Sequence, residues 1–149
     1  MSLNKTEANY IRLCNNYDYE TLAGIWERSV RATHDFLNET DLEEIKAALI
    51  TDYFPNVDIY AACDNGNIVG FMGLGADSIE MLFINSDMIG QGYGSLLIDY
   101  AKSKDIAKVD VNEQNHAALG FYLSKGFRIV GRDATDDAGR PYPILHLAL

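Results

Sequence analysis

The residues best suited to chemistry lie in the glycine-dense segment between Leu82 and Leu97. Gly90, Gly92 and Gly94 separate an apolar run that is typical of a strand from a segment that is typical of a helix start. Glycine removes side chains where a ligand must lie against the backbone, and a helix start offers unpaired N–H groups and the positive end of a dipole. This pattern predicts a binding site for an anion, such as a phosphate-bearing cofactor.

Two familiar phosphate loops match this segment poorly. A Walker loop requires a lysine, and residues 85–100 contain neither Lys nor Arg, so that class is excluded. In a Rossmann fingerprint the third glycine would come one residue after Gly94, and the loop would lie near the first strand of the chain. Asp110 falls near the position of the ribose-binding acid. A dinucleotide-binding protein therefore stays a weaker alternative.

Composition limits the classes of partner. The chain has 149 residues, 48% apolar content and a net charge of -10, which predict one domain over residues 1–149 with a single core. The negative charge disfavours nucleic acid and favours cationic acceptors. Apolar runs stay short of the roughly 18 residues of a membrane span, and the N-terminal segment lacks the apolar stretch of a signal peptide. We expect a cytoplasmic protein without a membrane partner.

Cysteine and histidine give no sign of a metal centre. His34, His116 and His146 are scattered, so no metal-ligand spacing appears. Cys14 and Cys63 lie far apart in apparent strands. In such a protein we expect buried thiols rather than a disulfide.

Hydrophobic periodicity and turn residues predict an α+β fold. Asn65-Gly66 lies between two apolar runs and predicts a hairpin. We expect Thr40 or Asp41 to cap the second helix, which ends at Pro55. We expect Asn115 to cap the fourth helix, which ends at Gly126. The predicted strands are 9–14, 57–63, 68–74, 79–84, 106–111, 127–132 and 142–149, and the helices begin near residues 19, 41, 92 and 116. A right-handed crossover through the glycine loop makes strands 79–84 and 106–111 parallel, in a mixed sheet.

Two motifs carry a resemblance to a known family. The segment Leu82–Leu97 resembles (Q/R)-x-x-G-x-(G/A), and the run Asn115-x-x-Ala118-x-x-x-Tyr122-x-x-x-Gly126-Phe127 resembles N-x-x-A-x-x-x-Y-x-x-x-G-F. In this order, with a strand between them, they resemble the GCN5-related N-acetyltransferase (GNAT) family, and residues 25–37 and 111–115 resemble its YjaB-type bacterial branch. The resemblance implies the three-layer acyl-CoA N-acyltransferase fold, in which helices flank the sheet and acetyl-CoA lies where two parallel strands splay apart.

The resemblance also implies roles for individual residues. The backbone of residues 82–84 would pair with the pantetheine arm of acetyl-CoA and polarise the thioester carbonyl, which is oxyanion stabilisation. Tyr122 would be the general acid that protonates the coenzyme A thiolate, although a core aromatic role is the alternative. Asn115 would cap its helix and hold pantetheine, with Asn112 a weaker candidate. The expected cofactor-binding residues are Leu82, Phe83, Ile84, Ile89, Gly90, Gln91, Gly92, Tyr93, Gly94, Ser95, Asn115 and Tyr122.

One departure concerns phosphate binding. Ile89 stands where the family usually has Arg or Gln, and Ser86 replaces a common proline. Backbone N–H groups of residues 90–95 and the Ser95 hydroxyl would then hold the phosphates alone. Because a charge-assisted bond of about 1.5–3 kcal/mol is missing, we expect weaker cofactor binding.

The acceptor side is less well defined by the sequence, and no general base is identified. The candidates are Trp26, Arg28, His34, Asp35 and Phe36, around the connection between the first two helices, and Glu80 on the strand beside the wedge. Each has a structural alternative. Trp26 and Phe36 could instead belong to the core, His34 could cap a loop or helix end, and Glu80 could be an acidic residue of the surface. The predicted function is acetyl transfer to a primary amine of a small molecule or peptide. A catalytically weak acyl-CoA sensor is the alternative, and a homodimer is left open.

Overall fold

The computed structural model describes residues 9–33 and 37–149. In this part of the chain seven strands form one sheet. The strands are β1 (Asn9–Leu13), β2 (Asp58–Asp64), β3 (Asn67–Leu74), β4 (Ser78–Ile84), β5 (Lys108–Asn112), β6 (Arg128–Asp133) and β7 (Ile144–Ala148). The helices are α1 (Tyr19–Thr33), α2 (Glu39–Ala48), α3 (Tyr93–Ser103) and α4 (His116–Ser124). Short helical turns cover Asn16–Asp18, Leu49–Tyr53, Phe54–Asn56 and Ser86–Met88.

The sheet contains one parallel strand pair, and that pair opens. The strand order is β1-β2-β3-β4-β5-β7-β6, and neighbours are antiparallel except β4 and β5. These two pair only at Ser78 with Lys108 and at Ile79 with Val109. Beyond Ile79, β4 keeps its pairing with β3 while β5 pairs with β7. The predicted mixed sheet with a splayed parallel pair is thus confirmed, and the wedge opens at the C-terminal ends of β4 and β5.

Helices cover both faces of the sheet and give three layers. On one face the stripe of α1, with Leu22 and Ile25, packs with Phe54 and Phe71, whose rings meet edge to face at 5.8 Å. On the other face α3 and α4 pack on the sheet through residues such as Leu97. Alternation along each strand supplies apolar side chains to both cores.

Turn chemistry explains where the elements begin and end. Asn65 (φ 51°) and Gly66 (φ 86°) both adopt the left-handed backbone conformation of a tight hairpin turn, as predicted. The expected cap of the second helix was wrong: the Asn38 side chain accepts a hydrogen bond from the Asp41 N–H at 2.8 Å, so the helix begins at Glu39. Pro55 lies in a later 3-10 turn rather than at the helix end.

The described residues also test the expectations about cysteines, metal sites and membrane spans. Both cysteines are free thiols; Cys63 is buried, as predicted, whereas Cys14 is only partly buried. The described residues contain no cluster of ligands suited to a metal ion. Among those same residues, no helix has the length and apolar character that crossing a bilayer requires.

Candidate active site

A cavity of about 340 Å³ lies where β4 and β5 separate. Its walls come from the end of β4, the glycine loop, the start of α3, one face of α4 and one residue of α1. This volume is within the usual range for ligand sites. The structure brings together every expected cofactor-binding residue except the exposed Gln91; those lining the cavity are Leu82, Phe83, Ile84, Ile89, Gly90, Gly92, Tyr93, Gly94, Ser95, Asn115 and Tyr122.

The three glycines of the loop serve two different purposes. Gly90 (φ 84°) and Gly92 (φ 90°) have left-handed backbones, and a Cβ at either would meet open space, so conformation alone requires glycine there. At Gly94, a Cβ would lie 3.0 Å from Cζ of Phe121. This third glycine therefore allows α3 and α4 to approach each other beside the cavity.

The helix that follows the loop begins without a side-chain cap. Asn38 caps α2 and Asn115 caps α4, but Gly92 stands at the start of α3 and no side chain accepts from its first-turn amides. These amides and the helix dipole suit a phosphate group. The donor set therefore fits the pyrophosphate of coenzyme A, although it includes no cation. Ile89, which is 55% exposed, supplies only apolar surface there.

Tyr122 on α4 lies in the cavity wall with little solvent contact. Its ring packs edge to face on Phe121 and Phe127, at centroid distances of 5.5 Å and 5.8 Å. The described residues show no hydrogen bond to its hydroxyl, and they include no fully buried side-chain oxygen without a partner, so the hydroxyl opens to the cavity. Burial raises the pKa of Tyr122 above its usual value near 10. The phenol is therefore fully protonated at neutral pH.

Asn115 both caps α4 and lines the cavity. Its Oδ1 accepts a hydrogen bond from the Ala118 N–H at 3.1 Å. The cap fixes the first turn of the helix that carries Tyr122. Asn112, at the end of β5, accepts from the Gln114 N–H at 2.9 Å and does not line the cavity.

The expected acceptor-side residues are dispersed in the structure. Arg28 on α1 is exposed, and its Nε donates to Oδ1 of Asn85 at 3.2 Å, which joins α1 to the end of β4. Trp26 is buried in the core beneath α1, and Glu80 is exposed and accepts from the Ser78 hydroxyl at 2.6 Å; neither lines the cavity. His34, Asp35 and Phe36 lie outside the described residues.

Five residues of the cavity wall were not among the expected site residues: Ser29, Met88, Ala117, Ala118 and Phe121. Ser29 on α1 is 7% exposed and adds a small polar side chain to the cavity wall. A serine within the apolar stripe of α1 was the available signal. Phe121 precedes Tyr122 and packs on Gly94.

Comparisons with known proteins agree with this geometry. A family model described as an acetyltransferase (GNAT) domain matches residues 55–129, a range that includes the glycine loop and Tyr122. The peptidyl-lysine N-acetyltransferase YjaB of Salmonella typhimurium is 41% identical in an alignment that covers 92% of this chain and 95% of that protein. The Escherichia coli protein of the same name is also 41% identical, with 93% of this chain and 95% of that protein covered. The solution structure of apo-form YjaB from Escherichia coli superposes with a TM-score of 0.87 at 39% identity, over 94% of this chain and 96% of that chain. A PaiA N-acetyltransferase from Thermoplasma acidophilum, solved with coenzyme A, shares the fold at a TM-score of 0.69 and 20% identity, over 95% and 99%.

Proposed function

Because the chain belongs to the GNAT family of acetyl-CoA-dependent N-acetyltransferases, we propose that its acceptor is the lysine side chain of a peptide or protein. The observation that carries this choice is the 41% identity, along nearly the whole chain, to two relatives named for peptidyl-lysine acetylation. The net charge of -10 supports a cationic acceptor.

The cofactor site is assigned to the wedge between β4 and β5. Bound acetyl-CoA supplies the thioester whose acetyl group the amine attacks, while coenzyme A leaves as a thiolate. The amides of residues 90–95 would hold the pyrophosphate. The β4 backbone at residues 82–84 has no partner strand on the side of β5, so its free N–H and C=O groups would bind the pantetheine arm. An N–H near Phe83 or Ile84 would polarise the thioester carbonyl.

Tyr122 acts as the general acid in this proposal. Its hydroxyl opens to the cavity and makes no hydrogen bond to a described residue, so its proton is available to a leaving thiolate. The burial that raises the phenol pKa also disfavours an unprotonated thiolate beside it. Transfer of the phenol proton to the thiolate would leave a phenolate, which burial also disfavours, so Tyr122 would be reprotonated by the proton that the attacking amine releases to water.

Water at the cavity mouth takes the proton of the incoming amine. Among the described residues that line the cavity there is no Asp, Glu or His, so none of them is placed to take the proton as a side-chain base. A free lysine has a pKa near 10.4, so only a small fraction is neutral at pH 7.

The acceptor assignment is tested by thiol release with three matched acceptors. One peptide has a blocked N-terminus and a single lysine, a second has a free N-terminus and no lysine, and the third acceptor is a small polyamine. We expect thiol release and an acetyl mass shift with the lysine peptide. Turnover only on the N-terminal amine or the polyamine would contradict the acceptor, and coenzyme A binding without any turnover would favour the sensor alternative.

A further inference from the structure

The cofactor carries more negative charge than the loop that faces it can neutralise. Coenzyme A has a pyrophosphate and a ribose 3′-phosphate, whereas residues 85–100 contain no Lys or Arg and the chain has a net charge of -10. Backbone amides orient phosphate oxygens but supply no full positive charge. A cation from another element would offset this repulsion.

Many cations of the described chain are already engaged by carboxylates. Ion pairs hold Arg12, Arg31, Lys46, Lys108, Arg132 and Arg140. Lys104 lies over the rings of Tyr60 and Tyr100, at 5.4 Å and 5.3 Å, and neither ring lines the cavity. Arg28 donates to Asn85, which also does not line it.

Lys125, at the end of α4, differs from these cations. Its Nζ lies 5.7 Å from the centroid of the Phe121 ring, and that ring lines the cavity and packs on Gly94 at the start of α3. Within residues 9–33 and 37–149, no carboxylate lies within ion-pair distance of this ammonium. The backbone is fixed as well, because Lys102 Nζ donates to the Lys125 carbonyl oxygen at 2.8 Å.

We propose that Lys125 binds a phosphate group of coenzyme A. The Lys125 ammonium lies over the Phe121 ring, and the edge of that ring packs on Gly94 in the uncapped first turn of α3. The aromatic face holds the ammonium near the cavity rim without neutralising it. Lys125 thus supplies from α4 the charge that Ile89 does not supply from the loop. This inference rests on the acetyl-CoA site described above.

The test measures coenzyme A affinity by isothermal titration calorimetry. Lys125→Met keeps an unbranched stem over Phe121 and removes the charge, and we expect it to weaken binding about tenfold. Lys125→Arg keeps the positive charge, and its affinity for coenzyme A should stay within about twofold of that of wild type. Lys104→Met removes an equal charge away from the cavity and is the matched control, with affinity expected to change less than about twofold.

Truncated ligands identify the phosphate. If the 3′-phosphate is the partner, wild type and Lys125→Met bind 3′-dephospho-coenzyme A equally; if the pyrophosphate is the partner, the variant weakens both ligands alike. Either result supports the proposal. Unchanged affinity of Lys125→Met for coenzyme A, or an equal loss for phosphate-free pantetheine, would overturn it. Failure of the wild type itself to bind coenzyme A would remove the cofactor site as a whole, which separates the two claims.

Discussion

Replacing Tyr122 with Phe should separate catalysis from folding. The substitution removes one oxygen and keeps the ring that packs on Phe121 and Phe127. Loss of a positioned general acid typically slows turnover about 10²-fold or more, which corresponds to a barrier higher by about 2.7 kcal/mol. Because the hydroxyl makes no hydrogen bond to a described residue, the free energy of unfolding should change by less than about 0.5 kcal/mol.

The assay combines thiol release at saturating lysine peptide with urea unfolding and coenzyme A titration. Tyr142→Phe is a matched control, because the Tyr142 hydroxyl donates a hydrogen bond to the Asp41 carboxylate. That variant should lose about 1–3 kcal/mol of stability and keep its turnover. Loss of one hydroxyl should therefore lower turnover but not stability at Tyr122, and stability but not turnover at Tyr142.

The alkaline side of the pH profile follows from the same burial. Since burial raises the pKa of Tyr122, the acid should stay protonated up to at least about pH 10, and no loss of rate from its ionisation should occur below that value. An unchanged rate in Tyr122→Phe, or a loss of rate that accompanies a loss of stability, would refute the general-acid role.

Three other perturbations test separate parts of the account. The kcat/KM for a lysine peptide should rise about tenfold per pH unit from pH 6.5 to 9, because only neutral amine attacks; a plateau near pH 7 would point to a side-chain base such as His34. The carboxylates of Asp110 and Asp133, each 2.7 Å from a ring nitrogen of His146, raise its pKa above 6.5, so their stabilising contribution is complete below about pH 6.5 and is lost as pH rises through the raised pKa. Urea unfolding at pH 6 and 8.5 should show this loss in wild type but not in His146→Gln. Gly92→Ala should cost about 1–2 kcal/mol of stability, because φ is 90°, and should weaken coenzyme A binding; unchanged affinity by calorimetry would count against the loop as the phosphate site.

The sequence predicted the elements that depend on local chemistry. The Asn65-Gly66 hairpin and the left-handed Gly126 depend on backbone preferences that neighbouring residues alone determine. The α2 cap was missed because several good capping residues adjoin each other there. Tertiary contacts decide the choice: the Asp41 carboxylate binds the Tyr142 hydroxyl and lies 3.5 Å from Nε of Arg140, whereas the Asn38 side chain accepts from the Asp41 N–H and caps the helix.

The candidate site was predictable only where it is continuous in sequence. The motifs located the glycine loop and the helix with Tyr122, because each forms one wall by itself. Ser29 and Lys125 escaped notice because their positions depend on how α1 crosses β4 and how α4 lies beside α3. Periodicity shows which face of a helix is buried, but not which part of the sheet that face covers.

The central claim is that backbone amides between two separating strands hold the phosphates and thioester of acetyl-CoA. An NMR titration of amide-labelled protein with coenzyme A tests it most directly. The account predicts the largest shift changes at the amides of residues 82–84 and 90–95. Saturable binding that leaves these amides unchanged and perturbs another surface would contradict it.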